Sequence, residues 1–123
     1  MQESDQYIVY SKTGNVNTSF NTKILTKDWI IKVQELGAGE IVLNCMNQDG
    51  VKRGFDIKQL NYMSDVINVP LIASGGAGKE IDFFNVLNNP KISGALAASV
   101  FHNSEILIEN LKNFLKQNNI HIR

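Results

Sequence analysis

The chain has 123 residues, which is enough for one domain with a modest hydrophobic core. Its 12 lysine and arginine residues balance its 12 aspartate and glutamate residues, so nucleic acid is not an expected partner. The single cysteine excludes an internal disulfide and a cysteine metal cluster, and a polar N-terminus without any apolar run of about 20 residues predicts a cytoplasmic protein that does not enter a membrane.

The first 25 residues differ from the rest of the chain. Residues 6–10 (QYIVY) have the composition of a strand, whereas residues 11–22 are rich in Ser, Thr, Asn and Gly, which favour turns. The sequence therefore predicts a hairpin or a long loop for residues 1–25, ahead of a regular part that spans residues 26–123.

The regular part begins with a helix. Thr26 is predicted as its N-cap, Trp29, Val33 and Leu36 as its buried face, and Gly37 as its left-handed C-terminal residue. The later elements alternate between strands and helices: a strand at 40–45, a helix capped by Asp56, a strand at 69–73, a helix at 79–87, a strand at 93–98 and a helix at 104–117.

The apolar faces of the three later helices follow a helical spacing, which predicts that each packs on the sheet. The residues expected to point inward are Ile57, Leu60, Met63 and Ile67 in the first, Phe83, Phe84 and Leu87 in the second, and Leu107, Leu111, Phe114 and Leu115 in the third.

Short apolar strands that alternate with helices indicate βα units around a parallel sheet. Three such units follow the leading helix, whereas a closed barrel of this type needs eight. The sequence therefore predicts one α/β domain over residues 1–123. It is a partial (β/α)₈ barrel with about three parallel strands, preceded by a loop hairpin and one helix.

Two of the predicted strands run directly into small residues, in PLIASGGAGK (70–79) and GALAASVF (94–101). Small residues let backbone N–H groups approach an anion closely, and neighbouring parallel strands end at the same rim. The other interpretation is that the glycines only turn the chain. The residues predicted to hold one phosphate group are Ser74, Gly75, Gly76, Ala98 and Ser99.

Asp49 follows a predicted strand by four residues, which puts it on the rim where barrel active sites lie. A carboxylate at that place can move protons during a reaction. The alternative is a plain turn, because Asp followed by Gly50 is a common turn pair.

Several separate motifs, in order and spacing, resemble the cyclase subunit of imidazole glycerol phosphate synthase. They are GAGEIVL (37–43), DG (49–50), GFD (54–56), PLIASGGAG (70–78) and LAASVFH (96–102). The likeness runs from about residue 7 to residue 123. It implies that the chain corresponds to the C-terminal half of a barrel of about twice this length.

The resemblance also implies an activity. The family's barrel takes ammonia from a partner glutaminase subunit and adds it to a phosphorylated ribulosyl-aminoimidazole-carboxamide nucleotide. This lyase and cyclase reaction yields imidazole glycerol phosphate, for histidine biosynthesis, and an aminoimidazole carboxamide ribonucleotide. No cofactor is implied.

By the same resemblance, Asp49 matches the second of two catalytic aspartates, and the first belongs to a strand upstream of Met1. Glu40 matches a charged gate for ammonia, while Asn44 and Gly50 match residues that line the substrate. The chain departs from the family's Asp-x-Asp-Gly pattern at Asn47.

These departures, with Asn44 and Cys45 in place of the usual Thr and Ser, leave two alternatives open. One is a divergent barrel that supplies ammonia for sugar amidation in surface-polysaccharide synthesis, and the other is an inactive phosphate-binding piece. A partial barrel is also expected to pair with an N-terminal half-barrel or with itself, because open strand edges favour association.

The remaining candidates have simpler interpretations. We expect Cys45 and Trp29 to be core residues, His102 to end a short helix, Lys79 to start one at the surface, and Lys52 and Arg53 to lie in a solvated loop.

Overall fold

In the computed structural model, which describes residues 2–3 and 6–123, the chain forms two three-stranded sheets and five helices. The first sheet is antiparallel and consists of β1 (Gln2–Glu3), β2 (Gln6–Ser11) and β3 (Phe20–Leu25). Tyr7 and Ile8 are buried, while the turn between β2 and β3 is exposed. The predicted hairpin is therefore confirmed.

The second sheet is parallel, with β4 (Ile41–Asn44), β5 (Leu71–Ser74) and β6 (Ile92–Leu96) side by side in chain order. Helices connect its strands, as the alternating pattern predicted. The helices are α1 (Thr26–Glu35), α2 (Ile57–Ser64), α3 (Glu80–Leu87), α4 (Ser99–His102) and α5 (Ile108–Gln117).

The two faces of the parallel sheet have different surroundings. Leu71 and Ala73 are fully buried in the cluster that includes the helices. The alternate positions point the other way, and there Val42 is 52% exposed and Leu96 48% exposed. In a complete barrel this second face would point to the barrel interior.

Three phenylalanines tie the loops at the carboxyl ends of the strands to the core. The ring of Phe83 on α3 lies 5.4 Å from that of Phe55, edge to face, and 5.9 Å from that of Phe101 on α4. Aromatic pairs at such separations are stabilising beyond the area that they bury. The aromatic cluster therefore holds three separate chain segments together beneath the rim.

Two predicted helix ends are confirmed and one is wrong. The carboxylate of Asp56 accepts a hydrogen bond from the Gln59 N–H at 3.0 Å, and Gly37 follows α1 with φ +99°. Thr26, in contrast, is the first helical residue and makes no capping bond. The reason is that β3 runs into α1 without a loop, so Thr26 is buried.

The predicted buried face of α1 is wrong by one position. Trp29 is 42% exposed and Leu36 is 70% exposed, although both were predicted to be buried. Val33 packs on the core as predicted, and Ile30, which was not predicted, is buried. Apolar residues occur on both sides of Ile30, so the spacing alone does not fix which side faces the core. Trp29 instead borders an open groove beside β4.

The other helices keep most of the predicted contacts. Leu60, Met63, Phe83, Leu111 and Leu115 are buried, while Ile57, Ile67, Phe84, Leu87 and Phe114 are partly buried against the core.

The structure also adds to those contacts and corrects one. Val86, which the prediction missed, is fully buried. Leu107 was expected to point inward but is 56% exposed, because residues 104–107 form a turn before α5 instead of its first part.

Several element bounds are shorter than predicted. The strand expected at 40–45 covers Ile41–Asn44, and the one expected at 93–98 covers Ile92–Leu96. Lys79 lies exposed at the N-cap position of α3, as expected. Among the described residues, no helix has the length and apolar character that crossing a bilayer requires.

Candidate functional site

A cavity of about 300 Å³ lies at the carboxyl rim of the parallel sheet. The ends of all three strands contribute to it, so residues far apart in the sequence meet there. Nearly all the residues predicted for the site line this cavity: Asn44, Asp49, Gly50, Ser74, Gly75, Gly76, Ala98 and Ser99. Glu40 is the exception.

The end of β5 supplies the glycines of the cavity. Gly75 and Gly76 have φ of +95° and +116°, which disfavour any side chain. A Cβ on Gly75 would lie 2.9 Å from the carbonyl oxygen of Cys45, and one on Gly76 would overlap the carbonyl oxygen of Gly54. The packing of the chain therefore requires both glycines, whether or not a ligand binds.

Free backbone donors are the feature that packing does not explain. In the described part of the chain, the N–H groups of Gly75, Gly76 and Ser99 donate to no acceptor. Ser99 is the first residue of α4, and the carbonyl of Ala98 just before it accepts from Phe101 and His102 at 3.1 and 2.9 Å. Donors of this kind suit an anion such as a phosphate group.

Asp49 lies in a compact turn beside the cavity. Its N–H and that of Gln48 both donate to the carbonyl of Cys45, at 3.1 and 2.9 Å, and Gly50 continues the turn with φ +76°. Asp49 itself is exposed. The two interpretations of Asp49 are thus compatible, because the turn presents its carboxylate at the cavity.

A pair of polar side chains joins β4 and β5 at the rim. Asn44 and Ser74 are register partners, and the Ser74 hydroxyl donates to Asn44 Oδ1 at 3.1 Å. This bond orients the side-chain amide of Asn44, which lines the cavity. Residue type alone does not relate the two residues, whereas the strand register places them side by side.

Glu40 lies at the opposite end of β4, directly before its first residue, and is exposed. It borders a groove of about 460 Å³ that Ile8, Trp29 and Val42 also line. The structure therefore does not bring Glu40 together with Asp49 but places it at the amino rim, where the resemblance expected it.

Cys45 is buried, with 1% of its surface exposed. Burial raises the pKa of its thiol to about 12, and the nearby Asp56 carboxylate adds to this shift. A thiol that stays protonated at neutral pH is a poor nucleophile. The expectation of a small buried residue is confirmed.

Lys52 is not the free cation that a solvated loop predicts. Its Nζ lies 2.6 Å from Glu105 Oε1, across 53 positions of sequence. Arg53 is exposed. No group of three or more metal-ligating His, Cys, Asp or Glu side chains occurs among the described residues.

Consecutive parallel βα units with a cavity at the carboxyl rim define an α/β protein whose architecture is that of a partial (β/α)₈ barrel. Residues 4–107 match the family model described as "Histidine biosynthesis protein". The chain belongs to this family, and the predicted fold class is confirmed.

The relatives agree with the family. The chain is 53% identical over 118 residues to the imidazole glycerol phosphate synthase subunit HisF of Pseudoalteromonas translucida, covering 96% of this chain and 46% of that protein. It is 54% identical over 122 residues to the HisF of Buchnera aphidicola, covering 99% and 47%. For the HisF of Photobacterium profundum the identity is 51% over 121 residues, covering 98% and 47%. The chain thus spans about half the length of the curated relatives that it matches.

Proposed function

We propose that this chain supplies the C-terminal part of the cyclase of an imidazole glycerol phosphate synthase. The substrate would be the phosphorylated ribulosyl-aminoimidazole-carboxamide nucleotide, and the ammonia would come from a partner glutaminase subunit. The names of the relatives support the reaction. The observation that carries the proposal is that Asp49, Gly75, Gly76 and Ser99 line one cavity, and that the N–H groups of the last three donate to no acceptor in the described part of the chain.

The backbone donors would bind one phosphate of the nucleotide. Fixed N–H groups hold an anion without the entropic cost of ordering long cationic side chains. A bound phosphate would set the distance between the reacting part of the nucleotide and the strand ends. Asn44, oriented by Ser74, would then donate its amide to an oxygen of the substrate.

Asp49 would transfer protons as the imidazole ring closes. A single carboxylate cannot act as acid and base at two separated atoms, so the reaction needs a second group from outside this chain. In the proposal that group is an aspartate on the preceding strand of the complete barrel. Glu40, at the other end of β4, would act as the gate through which ammonia enters.

Completion of the barrel is part of the proposal. The outer edge of β4 forms no strand pair within the described residues, and the open face beside it carries Val42. An N-terminal half-barrel, or a second copy of this chain, would cover both features. The proposed location is the cytoplasm, as the sequence analysis expected.

The decisive test is Asp49→Asn in the chain combined with an N-terminal half-barrel that carries the other catalytic carboxylate. We expect kcat to fall by about 10²–10⁴, which is the typical share of a general acid or base, with KM nearly unchanged. Ser74→Asp, which introduces an anion at the phosphate position, should raise KM instead.

Asp65→Asn is the matched control, because Asp65 is an exposed carboxylate at the amino rim. It should leave both constants unchanged. Turnover by Asp49→Asn equal to that of the unmodified protein would reduce Asp49 to a turn residue and remove the proposal's central step.

Asn47, at which the chain departs from the family pattern, does not line the cavity. Asn44 does line it, and it is the observation that keeps the sugar-amidation alternative open. Amidation of a sugar substrate, without any turnover of the nucleotide, would favour that alternative. Phosphate binding without any turnover would favour the inactive piece.

A further inference from the structure

Two loops at the carboxyl rim touch each other through their backbones. We call residues 45–56 the Asp49 loop and residues 74–79 the phosphate loop. The Gly54 N–H donates to the carbonyl of Gly76 at 2.8 Å. A Cβ on Gly76 would overlap the carbonyl of Gly54, and one on Gly78 would overlap the carbonyl of Lys52. The position of the Asp49 loop is therefore tied to that of the phosphate loop.

The phosphate loop is held from behind by α3. The carboxylate of Asp82 accepts hydrogen bonds from the N–H groups of Gly78 and Lys79, at 2.9 and 2.8 Å. Bonds from two successive N–H groups to one carboxylate are charge-assisted and fix the loop's end. The Cys45 N–H, at the start of the Asp49 loop, continues the strand pairing to the carbonyl of Ser74 at 2.9 Å. Beyond Cys45, the Asp49 loop has one backbone bond to the phosphate loop among the described residues, at Gly54.

Lys52 gives the Asp49 loop a second attachment. It lies three residues after Asp49, with φ +59°, and its ammonium group reaches Glu105 at 2.6 Å. Glu105 belongs to the turn between α4 and α5, which the Ile106 N–H fastens to the carbonyl of Val100 at 3.0 Å. The ion pair therefore connects the Asp49 loop to the third segment of the cavity wall.

We propose that the Lys52–Glu105 ion pair is a clasp that keeps the Asp49 loop docked on the phosphate loop, so that Lys52 is a positioning residue for Asp49. Lys52 does not line the cavity, so it acts through the loop and not on the substrate. The effect on turnover rests on the proposed function, whereas the docking of the loop does not.

The expected size of the effect follows from exposure. The Lys52 and Glu105 side chains are 35% and 42% exposed. Exposed ion pairs contribute little to stability and are weakened by salt. Breaking the pair should therefore increase opening of the loop by a small factor, about two- to five-fold.

Hydrogen exchange of the Gly54 amide, measured by NMR on the chain, reports docking directly because that amide bonds to the phosphate loop. Lys52→Met and Glu105→Gln should each speed its exchange about two- to five-fold. The reversed pair, Lys52→Glu with Glu105→Lys, should restore slow exchange. Lys91→Met is the matched control, since Lys91 also forms an exposed ion pair, with Asp65 at 3.0 Å. It should leave Gly54 unaffected.

Turnover of the completed enzyme is the second measurement. A slight displacement of a catalytic carboxylate lowers its contribution to catalysis, so kcat should fall by about the same factor with KM unchanged. Added salt should lower the kcat of the unmodified enzyme toward that of Lys52→Met.

Unchanged Gly54 exchange in both single variants, or no restoration by the reversed pair, would overturn the clasp. Faster exchange with unaltered kcat would overturn its role in positioning Asp49. If the unmodified enzyme shows no turnover, the proposed function fails, and the exchange measurement alone decides the clasp.

Discussion

The two rims of the parallel sheet are built in different ways. At the carboxyl rim, loops meet through glycine backbones. The Asp82 carboxylate bonds one loop end there, but the N–H groups of Gly75, Gly76 and Ser99 have no acceptor within the described residues. At the amino rim, side chains form hydrogen bonds with the backbone groups of the loops. The amide of Gln34 donates to the carbonyls of Ile30 and Val66, at 3.2 and 2.9 Å, and its oxygen accepts from the Asn68 N–H at 2.7 Å.

The amino rim continues this pattern with an amide pair between Asn61 and Asn89 at 2.8 Å and with the ion pair between Lys91 and Asp65. A rim whose polar groups are hydrogen-bonded to each other contributes to stability, whereas a rim with unbonded donors is able to bind an anion. This is the division of labour expected of barrel folds, in which the carboxyl rim carries the chemistry. The same type of substitution made at both rims tests this difference most directly.

The largest difference is expected for glycine to alanine. Gly76 and Gly37 both have positive φ, +116° and +99°. A Cβ on Gly76 would overlap the carbonyl of Gly54, while one on Gly37 would meet no atom of the described residues within 4 Å. Gly76→Ala should lower the free energy of unfolding by about 3 kcal/mol or more, because strain and overlap add. Gly37→Ala should cost about 1–2 kcal/mol from strain alone. Urea unfolding of both variants measures the difference.

Equal losses for the two variants would mean that the carboxyl-rim contact yields without cost, and the docking of the Asp49 loop would lose its structural basis. A second check is the affinity for inorganic phosphate. It should fall with Gly76→Ala and stay unchanged with Gly37→Ala, since Gly37 lies at the other rim.

The next largest effect belongs to the amino rim. Gln34→Met keeps the length of the side chain and removes three hydrogen bonds, so the free energy of unfolding should fall by about 1–2 kcal/mol. The exposed Gln117, at the end of α5, offers the matched Gln→Met control with a change near zero. Thermal or urea unfolding checks both. Phosphate affinity should not change in either variant, and a change in Gln34→Met would show that the rims are coupled.

The sequence was sufficient for much of the fold and for most of the residues that line the carboxyl-rim cavity. Small residues after two apolar strands, with Asp49 after a third, end at one rim because parallel strands share their direction. It was not sufficient for contacts between loops. Lys52 and Glu105 are 53 positions apart, and no local pattern relates them.

The sequence was also not sufficient to predict which face of a helix is buried. In α1 the apolar residues flank Ile30 on both sides, so the spacing fitted more than one face and the wrong one was chosen. Trp29 borders an open groove beside β4, whose outer edge forms no strand pair within the described residues. Thr26 was predicted as an N-cap from its residue type alone. An N-cap is the non-helical residue directly before a helix, whereas β3 ends at Leu25 and Thr26 is already helical.

The smallest expected effect belongs to Tyr7 in the antiparallel sheet, whose polar group is not hydrogen-bonded as those of the amino rim are. Its hydroxyl is buried and forms no hydrogen bond within the described residues. Burial is also the main reason that the pKa of Tyr7 is raised. A buried polar group without a partner is costly, so Tyr7→Phe should raise the free energy of unfolding by about 1 kcal/mol.

The pH dependence gives this prediction a second signature. Because the pKa of Tyr7 is raised in the folded state, its hydroxyl stays neutral on folding, and the associated stability is complete below pH 10.0 and lost as pH rises further. Tyr7→Phe should therefore lose less stability above that pH than the unmodified chain does. Tyr62→Phe is the control, since Tyr62 is 51% exposed and its ring lies 6.1 Å from that of Tyr7. A loss of stability in Tyr7→Phe would mean that the hydroxyl has a partner, which an adjoining part of the complete barrel would then have to supply.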